Sequence, residues 1–281
     1  MSEVILFNHI PKTAGTTMKH VLWRVVGSDR VLTALGEDHR ERVAAMAVEL
    51  DRDLDRPCAI ASHVGFGVER WLPSRHSYPA FTFLRDPVAR TTSRYWHYRS
   101  VRGGPGAEPV LPLEDWLEEK VLHRYNSQTG FLGGAWTRHH LEGAPLTRAS
   151  FDSQLLADAK RNLEAHPVVG LAERFDESML LLRKAYGWPL FKSTYRRVNV
   201  GPAGARRAAL TARQLEAVRA NNELDLELYE FGRELFESRL AAACADREGR
   251  LRRYRLANRA YARVYPATVP ARVLARSLRR A

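Results

Sequence analysis

The sequence predicts an α/β fold in which helices flank a central parallel sheet on both faces. Short apolar stretches alternate along the chain with longer segments of helical periodicity, an order typical of parallel sheets that are covered on both faces. Clusters of charged and hydroxyl residues follow three of the apolar stretches, at the positions where parallel sheets bind ligands. A chain of 281 residues is long enough for one such domain with insertions.

Four apolar stretches are predicted as strands, because each is short, apolar and bounded by turn residues. They cover residues 4–7, 58–61, 80–84 and 168–171. The first leads into a tight loop, and the second and third end in the polar segments 62–65 and 85–87.

Helical segments lie between and after these strands. In the first, Met18, Val21, Leu22 and Val25 form one apolar face, and Gly27 ends the helix. The remaining predicted helices cover residues 36–50, 86–98, 114–125, 176–186 and 222–243, with one more beginning at the capping box of Thr211 and Gln214. Residues 103–112 are predicted as a loop and residues 126–150 as irregular.

The loop after the first strand is predicted to bind a phosphate-like anion. Backbone N–H groups at a helix N-terminus attract anions, and this loop adds a lysine and several hydroxyls. The nucleoside-triphosphatase loop has its lysine after the second glycine, whereas here Lys12 precedes the loop's only glycine. The sequence therefore indicates a P-loop-like three-layer fold with a different anionic ligand. The predicted binding residues are Pro11, Lys12, Thr13, Ala14, Gly15, Thr16 and Thr17.

A second anion site is predicted after the third strand. Asp86 as N-cap and Pro87 at the first helical position begin a helix there. Arg85 at the strand end and Ser93 on the helix would together suit a phosphomonoester, because a guanidinium fork and a hydroxyl donate several hydrogen bonds. Two anion sites fit one nucleotide that carries a 5′-phosphosulfate and a separate 3′-phosphate.

In these two motifs the chain resembles the PAPS-dependent sulfotransferases, in the branch related to heparan and uronyl 2-O-sulfotransferases, and a bacterial-type, soluble member is expected. The first loop looks like the family's 5′-phosphosulfate loop, and Arg85 with Ser93 looks like its 3′-phosphate motif. Residues 60–66, 169–178 and 222–229 resemble further family segments. The resemblance covers about residues 4–240.

The resemblance implies a role for each site residue. Lys12 would stabilise charge on the leaving oxygen, and His63 would be the general base that takes the acceptor proton. The first loop would bind the 5′ end of PAPS, and Arg85 and Ser93 its 3′-phosphate. Arg197 and Asn199 are assigned to a loop that closes over the nucleotide, and no metal is expected.

The acceptor is expected to be a hydroxyl of a sugar, a glycoconjugate or another small molecule. Residues 1–245 are predicted as one sulfotransferase domain, in which 99–150 form an acceptor-site insertion, and 246–281 as a basic extension. The net charge of +12 lies mostly in this tail, since residues 247–281 contain eleven Arg and one Glu. The tail could contact an anionic membrane, hold a polyanion or be solvated, and no specific nucleic acid is expected.

Two cysteines without metal-ligand spacing and no visible signal peptide led to the expectation of a cytoplasmic enzyme, peripheral to the membrane if its tail binds lipid. Two other functions remain open at this stage. A P-loop-type kinase would need Mg²⁺, and a non-catalytic polyanion- or membrane-binding protein would depend on the tail. A structural role is expected for His9, and metal binding by His123, His139 and His140 is disfavoured because no carboxylate pattern accompanies them.

Overall fold

The computed structural model describes residues 3–35, 38–52, 57–102, 110–118, 124–196 and 210–264. Within that part of the chain, five strands form one parallel sheet. The strands are β1 (Val4–Asn8), β2 (Val31–Ala34), β3 (Cys58–Ser62), β4 (Ala80–Leu84) and β5 (Val168–Leu171), in the spatial order β2-β3-β1-β4-β5. The predicted parallel α/β architecture is confirmed.

The central position of β1 decides where the site forms. It pairs with β3 on one side and with β4 on the other, with Asn8 opposite Ser62 and Thr82. Because the strands are parallel, the segments that follow β1, β3 and β4 leave the sheet at the same edge. The four predicted strands are all present, and β2, a short edge strand of partly exposed residues, was not predicted.

Helices cover both faces of the sheet. The longest are α3, α11 and α12, and several short helices lie between α4 and α7. The bounds are α1 Gly15–Val26, α2 His39–Leu50, α3 Pro87–Arg102, α4 Leu113–Glu118, α5 Ser127–Leu132, α6 Ala135–Thr137, α7 Ser153–Ala165, α8 Phe175–Tyr186, α9 Leu190–Ser193, α10 Ala212–Ala220, α11 Glu223–Ala243 and α12 Arg247–Val264.

The helix boundaries follow the local signals in the sequence. Gly27 follows the last residue of α1, with a positive φ of 106°. The Asp86 carboxylate accepts a hydrogen bond from the Ala89 N–H at 2.7 Å and so caps α3. Thr211 and Gln214 form the predicted capping box of α10. These caps satisfy donors that helix ends leave unpaired, and the predictions made from them are confirmed.

The prediction that residues 126–150 are irregular is wrong. This segment contains α5, α6 and a π-helical turn over Arg138–Glu142. Asp225 of α11 is fully buried and accepts hydrogen bonds from the backbone N–H groups of Gln128 and Thr129, at 3.0 and 2.7 Å. The start of α5 is therefore capped by a carboxylate about a hundred residues away, which local sequence patterns do not reveal. Helix α7 was also not predicted.

The first part of the basic tail folds back onto the domain. In α12, the fully buried Tyr254 donates a hydrogen bond from its hydroxyl to the Ser193 carbonyl at 2.7 Å. Arg247 forms an ion pair with Glu177 of α8. The described helices include no segment that is long and apolar enough to cross a membrane. The domain boundary at residue 245 stays a prediction.

Candidate functional site

A cavity of about 590 Å³ opens at the sheet edge where β1, β3 and β4 end. The first loop, the start of α1, the residue after β3 and the N-terminal half of α3 contribute to its wall. Most of the residues predicted from the sequence line it, which brings both predicted anion motifs and the predicted base together. They are Pro11, Lys12, Ala14, Gly15, Thr16, Thr17, His63, Arg85 and Ser93.

The first loop has the backbone shape of an anion cradle. Lys12 and Ala14 have positive φ angles of 72° and 68°, and α1 begins directly afterwards at Gly15. Alternation of left-handed and other conformations turns successive backbone N–H groups toward one concavity, and the helix N-terminus adds its dipole. Thr13 differs from the expectation, because its buried hydroxyl donates to the Ile10 carbonyl at 2.8 Å and stabilises the loop internally.

Gly15 is needed because His9 lies directly against it. A Cβ atom added at Gly15 would lie 1.5 Å from Nε2 of His9. No side chain fits at that distance, so glycine allows the helix to begin in contact with the imidazole. His9 is also stacked on Phe7, with ring centroids 4.9 Å apart, and is only 6% exposed.

Arg85 connects the two anion motifs. Its Nη1 donates a hydrogen bond to the Lys12 carbonyl at 3.0 Å. The backbone of Arg85 is held by Gln128, whose side chain accepts from its N–H at 3.0 Å and donates to its carbonyl at 2.9 Å. Glu173 lies 3.9 Å from Nε of Arg85 and accepts a hydrogen bond from the Asp86 N–H. The guanidinium is therefore fixed at the rim of the first loop.

His63 and His9 form a hydrogen-bonded pair of imidazoles. Nε2 of His63 lies 2.9 Å from Nδ1 of His9, and the ring centroids are 4.3 Å apart. The parallel pairing of β1 with β3 places them side by side, since each histidine follows one member of the pair Asn8 and Ser62. One ring must donate and the other accept, so the tautomer of one ring determines that of the other.

Both histidines are held neutral. Burial lowers the pKa of His9 well below its usual value, and the neighbouring His63 and Lys19 lower it further. Burial lowers the pKa of His63 to about 3, with smaller contributions from Lys19, His39 and Arg94. A neutral imidazole with one unprotonated nitrogen is the state that a general base requires.

Several further residues that line the cavity were not assigned to the site from the sequence. Lys19 lies one turn after Thr16 on α1, so helical periodicity could have placed it on the same face. Arg94 and His97 lie on α3 beyond Ser93, on helical turns that were predicted but not assigned a role. The complete set that was missed is His9 (expected to be structural), Lys19, Leu35, Arg94, His97, Tyr98, Trp116 and Arg124.

Two of these, Trp116 and Arg124, come from the segment 99–150 that was predicted to shape the acceptor site. Arg197, Asn199 and His123 lie outside the described residues, so the roles assigned to Arg197 and Asn199 stay predictions. Among the described residues, no group of three or more His, Cys, Asp or Glu could hold a metal ion. The expectation that no metal is used stays a prediction.

The fold and the site define a class: a parallel α/β protein with a P-loop-like anion cradle at the end of its central strand. The galactose-3-O-sulfotransferase family model matches residues 2–265. The chain belongs to this family, and the prediction of the sulfotransferase family made from the two anion motifs is confirmed.

Individual relatives agree with the family model. The chain is 30% identical to galactose-3-O-sulfotransferase 3 of Bos taurus and 29% identical to that of Homo sapiens, each alignment covering 89% of this chain and 61% and 60% of the relative. It is 31% identical to heparan-sulfate 6-O-sulfotransferase 2 of Danio rerio, over 66% of this chain and 44% of the relative. The chain thus spans about three fifths of the length of the galactose-3-O-sulfotransferases that it matches.

The comparisons correct the expected location. The galactose-3-O-sulfotransferase relatives are Golgi membrane-resident enzymes, which contradicts the expectation of a cytoplasmic protein. That expectation depended on two cysteines, which are both buried and unpaired, and on the absence of a visible signal peptide. Neither feature determines a compartment. These relatives come from vertebrates and give no support to the bacterial-type expectation.

Proposed function

We propose that the protein is a carbohydrate sulfotransferase that takes a sulfuryl group from PAPS and transfers it to a hydroxyl of a sugar or glycoconjugate. The main support is that a single cavity contains the Lys12 loop, the pair Arg85 and Ser93, and the His63 imidazole. A donor with anionic groups at its 5′ and 3′ ends matches the first two, and an acceptor hydroxyl that loses a proton matches the third.

The first loop would bind the 5′ end of the donor. The backbone N–H groups around Lys12 and Ala14, together with the N-terminus of α1, provide a fixed positive field. The Lys12 ammonium and the hydroxyls of Thr16 and Thr17 line the same concavity. As the bond between sulfur and the bridging oxygen breaks, that oxygen gains negative charge, which these groups stabilise.

The proton would move to His63. If His63 carries its own proton on Nε2 and donates it to Nδ1 of His9, its Nδ1 is left with a lone pair for the acceptor hydroxyl. His9 then carries its proton on Nε2, beside Gly15. In the transfer step, the acceptor oxygen forms the new bond to sulfur while the bond between sulfur and the bridging oxygen breaks. The acceptor proton passes to His63, and adenosine 3′,5′-bisphosphate leaves. His9 orients the base without touching the substrate, as the third member of a catalytic triad does.

The acceptor class follows from the relatives' names, which specify galactose and heparan sulfate as substrates of those proteins. We propose a saccharide hydroxyl for this chain, and the 3-hydroxyl of a β-galactoside is the first acceptor to assay.

Binding of adenosine 3′,5′-bisphosphate tests the donor site. We expect tight binding without divalent metal, and Arg85→Ala should weaken it about 10- to 100-fold because a charge-assisted pair to the 3′-phosphate is lost. Isothermal titration calorimetry measures this, with AMP as the matched ligand that lacks the 3′-phosphate. Arg85→Ala should change AMP affinity much less, which separates phosphate binding from support of the Lys12 loop. Metal-dependent ATP binding without bisphosphate binding would instead support a kinase.

Substitution of His9 tests its positioning role. We expect His9→Leu, which adds no bulk against Gly15 but removes the hydrogen bond to His63, to lower kcat about 10- to 100-fold, within the range of positioned base catalysis, with little change in the KM for PAPS. His9→Asn retains a polar atom near the position of Nδ1 and should recover part of the loss. Equal rates for His9→Leu and the wild type would contradict the role. Thermal unfolding of both variants controls for misfolding.

A further inference from the structure

The cavity contains two cationic side chains that the proposed donor contacts do not use. Lys19 lies on α1 one turn after Thr16, and Arg94 follows Ser93 directly on α3. The positive charges of both lie close enough to His63 to lower the pKa of its imidazole. Both side chains therefore line the same cavity as the base that must meet the acceptor hydroxyl.

Neither side chain has an anionic partner within the described residues: Lys19 and Arg94 form no hydrogen bond or ion pair there. Burial, with smaller contributions from the neighbouring cations Arg90 and Arg124, lowers the pKa of Arg94 to about 10. Burial also lowers the pKa of Lys19. A partly buried cation is costly unless an anion joins it.

The Lys, Arg, Asp and Glu side chains among the described residues of the cavity wall are all basic. Its described residues include five Lys or Arg side chains and neither Asp nor Glu. Lysine and arginine only donate hydrogen bonds, whereas each hydroxyl of a neutral sugar both donates and accepts. A carboxylate or an ester sulfate only accepts, so it matches such a wall better than an uncharged hydroxyl does.

An aromatic surface lies beside these cations. The Arg124 guanidinium lies 4.3 Å from the centroid of the Trp116 ring and 5.7 Å from that of Tyr98, and it donates to the Trp116 carbonyl. These contacts fix Arg124, which is only 8% exposed, in the wall. Tyr98 also lines the cavity and is partly exposed, so its ring is available to a ring-shaped ligand, whereas Trp116 is 1% exposed and contributes by packing against Arg124.

We propose that the acceptor is an acidic saccharide, with a carboxylate or ester sulfate close to the hydroxyl that is sulfated, and that Lys19 and Arg94 bind this anionic group. The inference rests on the proposed function and adds the charge of its acceptor. It also gives the acceptor a part in catalysis. Burial is the main cause of the low pKa of His63, and the charges of Lys19 and Arg94 add to it. An anion bound by these two side chains offsets the charge contribution, so the correct acceptor strengthens the base that deprotonates it.

Three acceptors of matched shape test the inference: methyl β-galactoside, methyl β-galacturonide with a 6-carboxylate, and methyl β-galactoside 6-sulfate. With PAPS as donor, kcat/KM should be at least about tenfold higher for one or both anionic acceptors, from a charge-assisted pair. Lys19→Gln and Arg94→Gln should lose this preference. Arg99→Gln, an exposed arginine on the same helix that lies outside the cavity, is the matched control and should keep it. Comparison of kcat/KM between the galacturonide and the galactoside 6-sulfate shows which anionic group the protein binds.

Binding measurements separate this inference from the proposed function. Calorimetry on the protein saturated with adenosine 3′,5′-bisphosphate should show that an anionic acceptor binds more tightly than the neutral galactoside, and less so at high salt. Equal binding of all three acceptors, or of none, would overturn the acidic acceptor while leaving donor binding intact. Weaker bisphosphate binding by Arg94→Gln, with Arg99→Gln unaffected, would also overturn it, because Arg94 would then bind the donor. Failure of the wild type to bind bisphosphate would instead reject the proposed function itself.

Discussion

Lys12→Ala should lower kcat for sulfuryl transfer by about 10²- to 10³-fold, the usual cost of removing one preorganised group that stabilises transition-state charge. The ammonium lies on a loop whose backbone already provides binding energy for the donor, so the lysine is expected to act mainly as the bridging oxygen becomes negative. Affinity for adenosine 3′,5′-bisphosphate should therefore fall less than kcat. Alanine keeps a Cβ at this left-handed position, where φ is 72°, so backbone strain stays similar in the variant.

The measurement is a steady-state assay with PAPS and the best acceptor, alongside calorimetry with the bisphosphate. The matched control is Lys192→Ala, which removes an exposed lysine on α9 that does not line the cavity. A kcat that stays at the wild-type value in Lys12→Ala would show that the ammonium does not stabilise the leaving group.

His63→Ala should lower kcat by about 10²- to 10⁴-fold, the range expected for loss of a positioned general base. Bisphosphate affinity should stay close to wild type, because His63 is assigned to the acceptor rather than to the donor. Imidazole added to the buffer should restore part of the lost rate by entering the space that the side chain leaves. Wild-type activity of His63→Ala on a good acceptor would show that another group takes the proton.

The pH dependence of the wild-type enzyme provides a second check on His63. A pKa lowered to about 3 keeps the free imidazole neutral far below its usual titration range. We therefore expect kcat/KM, which reports the free enzyme, to show no decline near pH 6.5 and to fall only in more acidic solution. An acidic limb near pH 6.5 that disappears in His63→Ala would contradict the lowered pKa. Because the folded-state pKa is lowered, stability is lost as the pH falls below 6.5, so the rates require a parallel check of folding.

Much of the fold could be predicted because its signals are local. Asp86, Thr211 and Gly27 mark helix ends through contacts with residues only a few positions away. The apolar strands are short and uninterrupted, as buried parallel strands usually are. Both anion motifs could also be found, because each is contained within one strand, one loop and one helix.

The remainder depends on contacts between distant residues. The pairing of His9 with His63 follows from the register of β1 with β3, and no local pattern specifies which strands are neighbours. Trp116 and Arg124 reach the cavity from a segment whose helix α5 is capped by Asp225 of α11. Local sequence patterns do not indicate that such residues meet in one cavity, because the contacts that bring them together join distant parts of the chain.

The close contact between Gly15 and His9 has a consequence for alignment. One glycine begins the helix that carries the anion cradle and also supports the ring that orients the base. The loop proposed to hold the leaving group and the imidazole proposed to take the proton are therefore both positioned against the same glycine. In-line transfer tolerates little variation in the path from nucleophile to leaving group. The contact between the Gly15 backbone and the His9 imidazole thus couples the position of the anion loop to that of the base.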